Sequence, residues 1–208
     1  MTSSRLKLSR VMSEMASEDE AALVAGLRAG DAAAFDRAYE LYRPRLFGFL
    51  LPLSRRRTIA EDLLDETWLR LVAHARSLRA DTRLGAWLFT VARNLYWTHR
   101  RSSVLEESAT AELLTLWPAR EHWPSPFDLA STRELGRLLE RALATLPPQH
   151  REVLLLVGYE GLTPTEAAAV CGVSPVALRQ RLSRARAALV EALDFPPAQI
   201  ALKRSYGT

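Results

Sequence analysis

An all-α fold in two helical domains, the second carrying a helix-turn-helix, is the class this sequence predicts. Three observations carry that reading. The chain is rich in Leu and Ala and poor in β-branched runs, which favours helices. Apolar residues recur at helical spacing in two blocks, 18–101 and 131–194. Between them, 102–130 loses periodicity. It holds Glu106, Glu107, Glu112, Glu121 and Asp128 against one Arg120, and is broken by Pro118, Pro124 and Pro126. This is expected to be an acidic linker, though Leu113, Leu114, Leu116, Trp117 and Trp123 are too apolar for a plain tether. Residues 1–17 and 195–208 are expected to be tails.

The composition narrows the function. The chain has 208 residues, is 48% hydrophobic and carries a net charge of only +4. It has enough apolar content for packed cores and is not coated in basic surface. Almost all of its 28 basic residues are arginine, the side chain suited to planar contacts with phosphate and guanine. The single cysteine, Cys171, gives no internal disulfide and no zinc cluster; it is expected to pack in a turn. No apolar run approaches 18 residues, so no membrane insertion is expected. Residues 1–20 lack the apolar core of a secretory signal, and a cytosolic protein is expected.

Along the first block, a helix is predicted from about Glu18 to Arg28, with Leu23, Val24 and Leu27 inward. Gly30 ends it and Asp31 caps the next. The second helix places Phe35, Ala38, Tyr39, Tyr42 and Leu46 at helical spacing, and Pro44 is expected to kink it or replace its entry with a turn. Pro52 and Arg55-Arg56-Arg57 mark a loop, whose arginines are either solvated or set against a nucleic-acid backbone. A helix from about Thr58 to His74 buries Leu64, Trp68, Leu71 and Ala75. Its other face mixes Asp62, Asp65, Glu66 and Arg70 with an apolar Leu69, which fits a solvated face or a docking surface equally.

The helix from Leu84 to about Arg100 is expected to turn Leu84, Trp87, Val91 and Leu95 inward. Phe89, Arg93, Tyr96 and Arg100 follow on another face, with Trp97 beside them. Alternating aromatic and basic residues suit single-stranded DNA, because rings stack on unpaired bases while arginines follow phosphates. Core packing explains Phe89 at least as well; Tyr96 and Trp97 fit the nucleic-acid role better.

In the second block, helices are expected over Ser131–Thr145 and Gln149–Tyr159. The first turns Leu135, Leu138, Leu139, Ala142 and Leu146 inward. Gly161 then ends a helix, Thr163 caps the next, Pro164 occupies its first position and Glu166 reaches back. Cys171-Gly172-Val173 turns the chain, and Ser174-Pro175 opens a last helix to about Leu193. Leu178, Leu182, Ala185 and Leu189 line its apolar stripe. Opposite stand Val176, Gln180, Ser183, Arg184 and Ala187, flanked by Arg179 and Arg186 on one side and Arg181 on the other. Small, hydrogen-bonding and basic residues near a helix start suit a DNA major groove.

Three stretches make the chain resemble an extracytoplasmic-function (group IV) RNA polymerase sigma factor. Ala60-Glu61-Asp62-Leu63-Leu64-Asp65-Glu66-Thr67-Trp68-Leu69-Arg70 is similar to the family's region 2.2. Ala86-Trp87-Leu88-Phe89-Thr90-Val91-Ala92-Arg93-Asn94 is similar to regions 2.3 and 2.4. Leu146 to Leu154, with the helix-turn-helix and Arg181 to Arg186, is similar to region 4. The resemblance implies core RNA polymerase and promoter DNA as partners. It implies that Asp62, Asp65, Glu66, Leu69 and Arg70 dock on the β′ clamp helices. It implies that Arg93, Asn94, Tyr96, Trp97, Arg100 and Arg101 take a melted −10 strand. It implies that Thr163, Ser174, Val176, Ala177, Arg179, Gln180, Ser183 and Arg184 face the −35 duplex, with region 4 also on the β flap. A membrane-anchored anti-sigma factor holds many members, and the resemblance makes one an optional partner.

The chain departs from the family at Asp65, often Gln; at Val176-Ala177, where Gly-Thr is frequent; and after Asn94, where the aromatics are larger. Promoter sequence therefore does not carry over. No catalytic residue, cofactor or metal is expected: His74, His99, His122 and His150 are dispersed and no phosphate-loop or nucleophile motif occurs. The competing function is an operator-binding regulator, marked by palindromic half-sites and no need for polymerase.

Overall fold

The computed structural model describes residues 19–107 and 133–194. Among the described residues the regular elements are all helices. Helix α1 covers residues 19–29, with Leu23, Val24 and Leu27 buried. Gly30, at φ +78°, reverses the chain, and the Asp31 carboxylate accepts from the Ala33 amide at 2.9 Å to start α2 (Ala32–Ser54). The turn alternative at Pro44 is not realised, and Pro52 does not begin a loop: α2 passes unbroken through both. Pro44 and Glu40 face solvent, so the Glu40 carbonyl that loses its helical donor there can be hydrated.

The connection to α3 (Arg57–His74) is only Arg55 and Arg56. Leu63, Leu64, Trp68 and Leu71 are buried, and Trp68 packs against Phe35 and Tyr39 with ring centroids 5.9 and 4.9 Å away. A short 3₁₀ turn, Ala75–Ser77, leads through residues 78–83 to α4 (Leu84–Glu107). This helix runs past Arg100 into the stretch expected to be linker; 108–132 lie outside the described residues.

The buried face of α4 differs from the expected one. Leu84, Leu88, Phe89, Ala92 and Tyr96 are buried, while Trp87, Val91 and Leu95 are half-buried on the flank. The cause is tertiary. Helix α4 meets α2 and α3 on one side and the second block, through α7, on another. A single apolar stripe underestimates a helix packed on two sides.

The second block comprises α5 (Arg133–Thr145), α6 (Pro148–Leu154), α7 (Pro164–Cys171) and α8 (Pro175–Asp194). Helix α6 continues into a π-helical turn, Leu155–Tyr159. Ala142, Leu143 and Leu146 are buried from α5 and its end; Leu138 and Leu139 are half-buried. The two blocks share one hydrophobic core, with α2 against α5 and α6 and α4 against α7. Gly48 permits the α2 approach: a Cβ there would stand 3.0 Å from the Tyr159 ring. Arg151 seals the same junction from within. Its Nη1 donates to the carbonyls of Pro52 and Leu53, and its Nε and Nη2 to those of Leu143, Ala144 and Leu146, all within 3.1 Å. One guanidinium thus caps the C-terminal carbonyls of α2 and α5.

Candidate nucleic-acid interface

The helix-turn-helix forms as its punctuation predicts. The Thr163 hydroxyl accepts from the Glu166 amide at 3.2 Å while the Glu166 carboxylate accepts from the Thr163 amide at 2.9 Å. The Thr163 amide and hydroxyl donors, the amide foremost, hold the Glu166 carboxyl below its ordinary range. Gly172, at φ +64°, makes the turn, and the Ser174 hydroxyl caps α8 by accepting from Ala177 at 3.2 Å. Leu178, Leu182 and Ala185 are buried. Val176, Arg179, Gln180, Ser183 and Arg184 stand exposed on the opposite face, with Ala177 half-buried at its edge. Cys171 is the last residue of α7, at the edge of the expected turn, where burial, and then the Glu152 carboxylate, push its thiol up to about 12. It is an inert packing residue at neutral pH.

On α4 the predicted −10 residues divide. Asn94 and Arg101 are exposed, and the Asn94 amide oxygen accepts from Arg93 Nη1 at 3.2 Å. Tyr96 is not available as a stacking platform here: it is only 3% exposed, and burial raises its hydroxyl pKa. Phe89, 0% exposed, is a core residue whose ring meets Phe49 edge-on at 5.5 Å. Trp97 is half-buried, and its indole is already engaged.

Its partner comes from the other block. Glu152 of α6 is fully buried, and its Oε1 accepts from Trp97 Nε1 at 2.7 Å and from Arg93 Nε at 2.8 Å. Its Oε2 has no hydrogen-bond donor; Arg181 Nη1 of α8 stands 3.8 Å from it. One buried carboxylate therefore sits between the α4 face and the flank of the α8 helix. Around it, Arg93, Asn94, Trp97 and Arg101 share a cleft of about 340 Å³ with Gln149 and Arg181. The sequence signal for Glu152 is weak: a charged residue immediately before the apolar run Val153–Val157.

Two further ion pairs join the blocks. Arg45 Nε donates to the buried Glu160 carboxylate at 2.9 Å, and burial still pushes that carboxyl up to about 7. Arg83 reaches Glu20 at 3.1 Å and Glu166 at 3.2 Å.

The α3 face is separate from both. Asp62, Asp65, Leu69 and Arg70 are exposed, and Glu66 pairs with Arg70 at 2.7 Å. Leu69 is 63% exposed and Val72, one helical step on, 60%. Val72 is an addition to the face expected from sequence, and its spacing of three from Leu69 is the signal that could have found it. Among the described residues no group of three His, Cys, Asp or Glu side chains is placed to hold a metal ion.

Residues 38–104 match the model of Sigma-70 region 2, and residues 136–189 that of Sigma-70, region 4. The chain is 33% identical over 161 residues to the ECF RNA polymerase sigma factor EcfG of Rhodopseudomonas palustris, covering 74% of this chain and 85% of that protein. It is 34% identical over 174 residues to the RNA polymerase sigma factor CarQ of Myxococcus xanthus, covering 84% and 97%. The chain belongs to the ECF RNA polymerase sigma factors. Among solved structures, this sigma factor is similar to RpoE of Bartonella quintana, crystallised in complex with the anti-sigma factor NepR. That match has a TM-score of 0.62 and 30% identity over 77% of this chain and 96% of the other. The region 2 match spans α4 and the α3 face; the region 4 match spans Glu152 and the helix-turn-helix.

Proposed function

We propose that this sigma factor assigns its promoter contacts to three faces. The exposed α8 face, Val176, Ala177, Arg179, Gln180, Ser183 and Arg184, with the capping residues Thr163 and Ser174 at its approach, reads the −35 duplex. The α4 residues Arg93, Asn94, Trp97, Arg100 and Arg101 take the melted −10 strand, with Tyr96 packed beneath them in the core. Asp62, Asp65, Glu66, Leu69 and Arg70, extended by Val72, dock on the β′ clamp helices of core RNA polymerase. Region 4 also meets the β flap. The protein acts in the cytoplasm and supplies no bond-forming step; nucleotide addition belongs to the polymerase.

The observation that carries the reading is the pair of unlike faces. One is a capped helix with small, amide and guanidinium groups pointing outward, fitted to base edges in a major groove. The other joins arginines and aromatics around Asn94, fitted to an unpaired base. An operator-binding regulator needs only the first. The Glu152 contacts add a condition. Arg93 and Trp97 meet nucleic acid only after the α6 carboxylate withdraws, so −10 capture is coupled to separation of the two units. A protein partner that favours the closed chain follows naturally, and the anti-sigma complex of the Bartonella relative supports one.

Run-off transcription with core polymerase over fragmented genomic DNA tests the whole. Defined start sites with shared upstream elements are expected. Asn94→Ala then shifts the −10 preference with core affinity intact, and Leu69→Asp loses core affinity. Palindromic binding without polymerase, and no transcript, would move the assignment to the operator-binding regulator.

A further inference from the structure

Arg55, Arg56 and Arg100 line a second cleft, of about 370 Å³, together with the buried Arg151. Its walls come from both units: the end of α2 and the α2–α3 connection, α4, and the α5–α6 turn at Thr145 to Pro148. No aspartate or glutamate lines it. The Arg55 and Arg100 guanidiniums are close enough to act on Arg151. Burial, then the Arg55 charge, push Arg151 down to about 10, and Arg100 adds to the effect. Arg151 spends all its donors on carbonyls, so it contributes charge and not contacts. Arg55, Arg56 and Arg100 form no ion pair with a described carboxylate.

Arg55 is held there against its own preference. At φ +60° it is the one non-glycine left-handed residue among those described, at a helix end where glycine is the usual choice. An arginine kept in that conformation beside like charges is a feature that packing alone does not require.

We infer that this seam is a binding site for a compact, multiply charged phosphate, a phosphoanhydride of diphosphate size. Planar guanidinium forks lining one cleft from two elements are a donor set for such an anion. A cleft walled by both units admits a small anion and excludes a duplex. A bound anion would hold Arg55, Arg56 and Arg100 of the first unit beside the Arg151 charge of the second and so favour the closed arrangement. The source is either free diphosphate or the diphosphate end of a nucleotide, and the chemistry of the site is the same for both. The inference does not depend on the promoter assignments, because it is tested on the chain alone.

The test is titration calorimetry of the full chain with inorganic pyrophosphate at fixed ionic strength. Saturable one-to-one binding is expected. Arg55→Gly should weaken it about tenfold or more while leaving the melting temperature equal or higher, since glycine suits φ +60°. Arg100→Gln should weaken it similarly. A nucleoside diphosphate arm identifies the source: tighter binding than pyrophosphate marks a nucleotide site, and equal or weaker binding marks free diphosphate. No saturable binding overturns the inference, as does wild-type affinity in both variants. Equal heat from sulfate at the same ionic strength means screening of net charge only and also overturns it. If pyrophosphate does not bind but a single-stranded oligonucleotide does, with loss in Arg55→Gly, the arginines are nucleic-acid contacts and the small-anion site falls.

Discussion

The α8 and α4 faces carry similar chemistry, arginines set among hydrogen-bonding groups, yet they stand in different states. On α8, Arg179, Gln180, Ser183 and Arg184 point outward from a helix whose start is fixed by Thr163, Glu166, Gly172 and Ser174. On α4, Arg93 and Trp97 are bound to Glu152 of the other unit, and Tyr96 is in the core. The first face is complete once its own few residues fold. The second, on the proposed assignment, becomes a nucleic-acid surface only when Arg93 and Trp97 leave Glu152. On that assignment, double-stranded recognition is preformed and single-strand capture is conditional on tertiary structure.

The sharpest way to break this contrast is to remove the carboxylate that creates it. Glu152→Ala leaves Arg93 without its partner and the Trp97 indole without an acceptor, and should cost about 3–5 kcal/mol, as expected for breaking a buried ion pair. Melting followed by circular dichroism measures the loss, and small-angle scattering reads whether the units separate. Glu152→Gln keeps an acceptor and should lose less. An unchanged melting point and radius in Glu152→Ala would show that the junction does not depend on this residue.

Glu160 offers a smaller lever on the same junction, through pH. Its folded carboxyl is raised to about 7, above the ordinary 4.5, chiefly by burial, with Arg45 opposing. The folded chain therefore holds this proton more tightly than the unfolded chain. The contribution is complete below about 4.5 and is lost as pH rises through about 7. Stability should decline across that window by at most about 3 kcal/mol. Glu160→Gln should flatten the decline, and parallel pH profiles for the two proteins would remove Glu160 as its source.

Changes on the preformed face should separate binding from folding. Arg179→Ala or Gln180→Ala should weaken −35 recognition by about 1–3 kcal/mol for each bidentate hydrogen-bond pair removed from a base edge. Their melting temperatures should stay at the wild-type value, because both side chains are exposed. A fall in melting temperature that matches the fall in binding would contradict the face assignment. The smallest effect belongs to the cap: Thr163→Ala should cost about 1 kcal/mol of stability, read by denaturant titration.

Particular residues show why some of this was legible in sequence. Thr163-Pro164-Thr165-Glu166 and Ser174-Pro175 act on backbone groups two or three residues away, so their geometry follows from local chemistry. Gly30 and Asp31 are of the same kind. Leu64, Trp68 and Leu71 follow from helical periodicity on a helix buried along one stripe. Phe89 and Tyr96 break the same rule because α4 has neighbours on two sides. Pro44 and Pro52 break another: a proline removes a helical hydrogen bond, but the helix around it is held by packing of Leu46, Phe47, Phe49, Leu50 and Leu53.

The sequence by itself determined the helical class, the helix-turn-helix with its outward face, and the family to which the chain belongs. Those depend on spacing, caps and apolar periodicity, which are local and act over a few residues. Only the tertiary structure decided that Glu152 joins Arg93 and Trp97, 59 and 55 residues away. It also decided that Arg151 ties the ends of α2 and α5, and that four arginines close on one cleft. A buried charge acquires its meaning from whichever partners desolvate it, and those are set by how two units meet.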